Sequence, residues 1–142
     1  MKLLLDTHIL LWAASDPKKI KPAMRKRIED ESNTLFFSAA SIWEIVIKNS
    51  LGRSDFQVDP RIFRNALVDN GYQEVPITTE HVLFVHDLPP LHKDPFDRIL
   101  VAQSSIEGMP LLSVDPAVID YGGTVITDQW EFDGQPNILK IL

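Results

Sequence analysis

The chain has no cysteine. That excludes disulfides, thiol nucleophiles and thiolate zinc centres, and makes a cytoplasmic location the expectation. It also lacks any run of about 18 apolar residues, the length a membrane helix needs. The opening MKLLLDTHILLW carries only a short apolar run, interrupted by Asp6. It reads as a core strand rather than a leader peptide. Positive charge is not in excess either. The net charge is −6, which argues against a broad basic surface for nucleic acid. Internal repeats, low-complexity tracts and linkers are absent as well.

What is present fits one domain: 142 residues, 44% of them hydrophobic, are enough to build a real core. The basic residues are unevenly spread. Lys18, Lys19, Lys21, Arg25, Lys26 and Arg27 make up six of the 14. They read first as a solvated helix face and second as a phosphate patch. Beyond Asp115 the balance is acidic, with Asp120, Asp128, Glu131 and Asp133 against Lys140.

Apolar patterning alternates between short strands and helices. Strands are expected at 2–5, 34–37, 73–77, 110–114 and 123–127. Pro76 limits the third to a sheet edge or a strand end. Helical spacing and capping residues place a first helix on the stripe Ile9, Leu10 and Ala13, stopped by Asp16-Pro17, and further helices at 22–32, 39–49, 60–70, from Thr78 or Thr79 to about His86, and at 95–107. Ser38 caps the third of these, while Gly52 and Gly108 close two of them. Weak apolar stripes make helices 22–32 and 60–70 peripheral. Strands that are apolar on both faces and alternate with helices define a parallel sheet covered on both sides. The expected class is α/β, a three-layer α/β/α sandwich with a mostly parallel sheet of about five strands.

Four carboxylates stand in otherwise apolar or structural settings: Asp6, Glu44, Asp97 and Asp115. Right-handed crossovers bring strand ends and helix starts to one sheet edge, where ligands bind in such folds. Each acid also has a plain explanation. Asp94-Pro95-Phe96-Asp97 resembles a capping box, Asp115-Pro116 a second cap, and Glu44 with Lys48 an i,i+4 ion pair. Asp6, directly after a buried Leu run, is the hardest to dismiss. Four acids on one edge repel unless a cation holds them, and oxygen-only sets favour magnesium or manganese.

The competing chemistry is histidine-based cleavage by His8, His81, His86 or His92. A partly buried polar side chain is the plainer reading of each, with His8 close enough to Asp6 to support it. Arg98 either steadies a phosphate or pairs with a neighbouring acid, and the pair is preferred. Trp43, in an apolar helix, is expected in the core. Trp12 stands at a helix end and is free to line a partner groove.

These segments resemble the PIN-domain family, in particular the VapC-like toxins of type II toxin–antitoxin pairs. The likeness runs from residue 1 to about 127, through LLLDTHILLW (3–12), SAASIWEIVIK (38–48), HKDPFDRILVAQS (92–104) and LLSVD (111–115). It implies a domain at 1–127 and a C-terminal extension at 128–142 that packs on the domain or a partner. It also implies a metal-dependent endoribonuclease using Mg2+ or Mn2+, with Asp6, Glu44, Asp97 and Asp115 as the acidic quartet. Asp6 and Asp97 would bind the ion directly, and Asp115 and Glu44 directly or through water. Thr7, Ser38, Asp94 and Ser113 would support the site or the substrate, and Arg98, from its place beside Asp97, is a further candidate for that role. Ser113 departs from the threonine that many relatives carry. The implied partners are RNA, a cognate antitoxin and a second copy in a homodimer. Two alternatives are a catalytically inactive PIN-like domain and a receiver-like magnesium-binding domain. The second would need an Asp at the end of the third strand, where this chain has Pro76-Ile77.

Overall fold

A computed structural model describes residues 1–52, 57–123 and 125–127. Five strands form one sheet: β1 (Lys2–Leu5), β2 (Thr34–Ser38), β3 (Gln73–Val75), β4 (Leu111–Leu112) and β5 (Val125–Ile126). All pairings are parallel, in the order β3-β2-β1-β4-β5. The helices are α1 (Thr7–Ser15), α2 (Pro22–Glu29), α3 (Ala39–Ser50), α4 (Pro60–Asp69), α5 (Thr79–Asp87), α6 (Pro95–Glu107) and α7 (Pro116–Ile119). A 3-10 turn at Pro17–Lys19 joins α1 to α2.

The leucines of β1 show why the molecule has three layers. Side chains alternate across a strand. Leu3 and Leu5 therefore join one core with Ile9, Leu10, Met24, Phe37, Ile45, Phe63 and Leu67. Leu4 joins the opposite core with Leu100, Val101, Leu111, Val118 and Val125. All three leucines are fully buried. The first core packs α1 and α4 under the sheet, and the second packs α6 and α7 over it. Register follows, with Leu4 opposite Phe36 on one side and Leu111 on the other.

Several boundaries shrink relative to the expected ones. β3 stops at Val75, ahead of Pro76, and lies at the sheet edge as its proline requires. α2 ends at Glu29 because Asp30 leaves helical geometry and uses its carboxylate to accept from Ser32. Gly108 closes α6 at φ 67, in the left-handed region that glycine enters without strain. α4 corrects the expectation of a peripheral helix: Phe63 and Leu67 are buried in the first core. Their i,i+4 spacing gives a narrow but sufficient stripe. The fifth strand covers 125–126 only. The extension at 128–142, with Trp130, lies outside the described residues. Among the described residues no helix is long and apolar enough to cross a membrane.

Strand order fixes where a ligand can enter. The chain runs outward from β1 through β2 to β3, then returns to lay β4 and β5 on the other side of β1. The direction of winding reverses between β1 and β4. In open parallel sheets the crevice at the carboxyl ends of such a strand pair is the usual binding place.

Candidate active site

Asp6 immediately follows β1 and caps α1: its Oδ1 accepts the Ile9 amide at 2.9 Å. It is only 3% exposed. Burial raises its pKa, and the Ser113 hydroxyl and the Ile9 amide oppose that rise by hydrogen bonding to its charged form. Ser113 sits just beyond β4, fully buried, and its Oγ also accepts the Asp115 amide at 3.1 Å. Asp115 in turn caps α7 through the Ala117 amide at 2.9 Å. The negative field of Asp115 reaches Asp6 and adds to the rise of its pKa. The two acids thus face each other across the gap between β1 and β4.

Helices supply the rest. Asp94 caps α6 by accepting the Phe96 amide at 2.8 Å, with Pro95 at the first helical position. Asp97, in the first turn of α6, is pushed up to about 7, first by burial and then by the charges of Asp94 and Glu44. Asp6 contributes in the same direction, while His92 opposes. Glu44 lies on the buried side of α3, 3% exposed. Lys48 holds its Oε2 at 2.8 Å, the expected i,i+4 pair. Its Oε1 is buried with no hydrogen-bond partner among the described residues. Thr7 and Ser38 brace the surroundings: Thr7 donates to Ser41 at 2.9 Å, and Ser38 caps α3 through the Ala40 amide at 3.0 Å.

The crevice therefore collects Asp6, Glu44, Asp97 and Asp115, with Asp94 at its rim. The caps expected of Asp94 and Asp115 coexist with this clustering, because each cap uses one carboxylate oxygen, and the other oxygen of Asp115 lies 3.5 Å from His92. Buried Asp6 and half-buried Asp97, both with raised pKa values, and a Glu44 oxygen with no hydrogen-bond partner among the described residues make a pocket rich in carboxylate oxygens. That donor set suits a hard divalent cation.

Three positions differ from expectation. Among the described residues Arg98 pairs with no acid. Its Nη2 donates to the Val85 and Leu88 carbonyls at 2.9 and 3.5 Å. These carbonyls lie at the C-terminal end of α5, where a cation interacts favourably with the helix dipole, and the Val85 carbonyl also accepts the Leu88 amide. Trp43 is 54% exposed and stands edge-on to Phe96 at 5.0 Å. α3 buries Ala40, Ser41, Glu44 and Ile45 instead, so the small and acidic face turns inward. His92 is the residue that sequence reasoning left aside. Its Nε2 lies 2.9 Å from Asp97 Oδ2 and 3.5 Å from Asp115 Oδ2. The sequence offers it among four histidines for a competing cleavage chemistry and at the head of the segment HKDPFDRILVAQS (92–104), with nothing to tie it to the acids. The other histidines stand apart from this trio. His8 is exposed and tilted against Trp12, and His81 is buried in a capping box with Thr78.

Fold and crevice together define a parallel α/β protein with a carboxylate site at its topological switch point. The family model described as the PIN domain matches residues 3–123, and the chain belongs to the PIN domain family. Its fold is similar to that of VapBC2 from Rickettsia felis, solved bound to a DNA fragment from their promoter. That likeness has a TM-score of 0.63 at 13% identity, covering 89% of this chain and 97% of the other. VapBC-1 from nontypeable Haemophilus influenzae gives a TM-score of 0.59 at 14% identity, covering 85% and 92%. At such identities the likeness is one of fold. No match was found among curated proteins. Family membership removes the receiver-like alternative.

Proposed function

We propose that this protein is a metal-dependent endoribonuclease and the toxin of a type II toxin–antitoxin pair. The observation that carries the reading is the convergence of four acids from four separate elements, with Asp97 pushed up to about 7 and one Glu44 oxygen left without a partner. An arrangement this unfavourable in isolation is the kind retained where a cation relieves it.

Asp6 and Asp97 would hold Mg2+ or Mn2+ directly, with Asp115 and Glu44 binding directly or through water. A bound divalent cation supplies Lewis acidity and an activated water for in-line attack on a phosphodiester. The chain's own residues do the positioning. The Ile9 amide and the Ser113 hydroxyl fix the Asp6 carboxylate and favour its charged form. Lys48 anchors one Glu44 oxygen, and the other, buried without a hydrogen-bond partner among the described residues, would be the one available to an ion. Thr7, Ser38 and Asp94 hold the helix starts that aim these acids, and Arg98 ties α6 to the end of α5. Water as nucleophile implies products with 5′-phosphate and 3′-hydroxyl ends. The acidic crevice accepts RNA only when its charge is offset by the ion.

An antitoxin partner, a homodimer and a cytoplasmic location complete the proposal. The family and the shared fold with VapBC structures support the first. The test is direct. Asp6→Asn should lose Mg2+- or Mn2+-dependent RNA cleavage while keeping its far-UV spectrum and melting transition. Unchanged cleavage would sink the site assignment, and cleavage surviving excess EDTA would point to the histidines. Growth arrest on expression, rescued by the product of the neighbouring gene, tests the toxin role.

A further inference from the structure

We propose that His92 is a nitrogen ligand of the ion at this acidic edge and that it tilts the site toward first-row transition cations over magnesium. The inference rests on the metal-site reading above and adds a residue that reading does not use.

The geometry points to shared coordination rather than to a hydrogen bond. His92 Nε2 lies 2.9 Å from Asp97 Oδ2 and 3.5 Å from Asp115 Oδ2. Donor atoms bound to one ion at roughly 2.1 Å stand about 3 Å or slightly more from each other. His92, Asp97 and Asp115 together present one nitrogen and two carboxylate oxygens, all within 4.8 Å of one another. Yet Nε2 is buried with no aligned hydrogen-bond partner among the described residues. Its axis lines up with neither carboxylate, although one of them is in contact. Atoms set side by side in this way converge on a common third atom instead of pointing at each other.

The loop holds this ring in place. The His92 amide donates to the Tyr121 hydroxyl at 3.1 Å, which ties the segment to the chain just past the C-terminal end of α7. The Asp94 amide donates to His92 Nδ1 at 3.2 Å, which orients the ring from its other side. Ligation through Nε2 requires the ring proton on Nδ1. The long Asp94 contact would therefore give way in the metal-bound form, whose ring proton would sit on Nδ1. Imidazole nitrogen suits first-row transition ions, whereas an all-oxygen set suits magnesium equally well. His92 thus gives this carboxylate site a basis for choosing between them.

The experiment uses the full chain with Mn2+ as the probe. Pulsed EPR on protein labelled with 15N-histidine should show a directly bound imidazole nitrogen in the wild type and in His8→Ala, but not in His92→Ala or His92→Asn. Titration should show Mn2+ affinity falling about tenfold or more in both His92 variants, with Mg2+ affinity nearly unchanged. Thermal melting establishes that each variant is folded, and the Asn variant serves if the Ala variant is not. Absence of the nitrogen signal from the Mn2+-loaded wild type overturns the proposal. So does a His92 variant that keeps the wild-type preference for Mn2+ over Mg2+. If Asp97→Asn binds Mn2+ as tightly as the wild type, the acidic-edge reading falls and takes this inference with it. Loss of binding in Asp97→Asn alone leaves that reading standing and rejects His92.

Discussion

His81 and His92 are both largely buried histidines beside carboxylates, and they have opposite roles. His81 is saturated. Its Nδ1 accepts the Thr78 amide at 3.1 Å, its Nε2 meets Glu107 at 2.8 Å, and its own amide donates to the Thr78 hydroxyl. Every polar atom has a partner, so the group ties α5 to α6 and has nothing left to offer a ligand. His92 reaches two acids without an aligned bond to either, in a crevice where charges repel. A satisfied buried network is a structural joint, whereas a crowded and unsatisfied one is a place for something else to bind.

Four measurements break or sharpen that contrast. The largest effect belongs to Asp97→Asn, which should cut RNA cleavage by about 10³-fold, the scale of several kcal/mol of lost charge stabilisation. The same variant should melt at a higher temperature than the wild type without metal, because a buried charge is removed. A lower melting temperature there would contradict the repulsion described for the crevice.

His81→Ala should do the reverse. It should lose about 1–3 kcal/mol of stability in urea unfolding, since it leaves buried partners unmatched, while Mn2+ affinity stays at the wild-type level. A change in Mn2+ affinity would erase the distinction between the two histidines.

Acid pH sharpens the crevice side. Asp97 titrates near 7 in the fold against an ordinary 3.8, so over that window the folded protein holds a proton that the unfolded chain releases. Metal-free stability should therefore rise as pH falls from about 7 toward 4, and saturating Mn2+ should flatten that slope. A metal-free melting temperature that falls over this range would contradict the raised Asp97. The smallest effect is at the joint: Thr78→Ala should lose about 1 kcal/mol as a missing helix cap, with cleavage unaltered.

Much of the architecture was legible because it rests on local rules. Leu3, Leu4 and Leu5 between polar neighbours spell a strand buried on both faces. Ser38, Thr78, Asp94 and Asp115 each precede a helix and each caps one. Pro76 forecast an edge strand. The four acids could be named, since each is out of character with its surroundings. Trp43 was misread because helical spacing does not say which face turns inward. The choice fell to Glu44 and Ser41, held in by the crevice and by Thr7. Arg98 was misread because its partners are backbone carbonyls, which every sequence has everywhere. Phe63 and Leu67 show how few apolar residues suffice when a neighbouring element supplies the rest of the core.

The sequence by itself determined a parallel α/β domain, its caps and the identity of its four out-of-place carboxylates, because periodicity, capping and burial cost act over a few residues. Only the tertiary structure decided which groups meet. Strand order puts the reversal between β1 and β4, so Asp6 and Asp115 become neighbours from opposite ends of the chain. The same packing draws His92 in from a loop and leaves His81 outside. Contacts of that kind depend on how distant elements stack, and no local pattern encodes them.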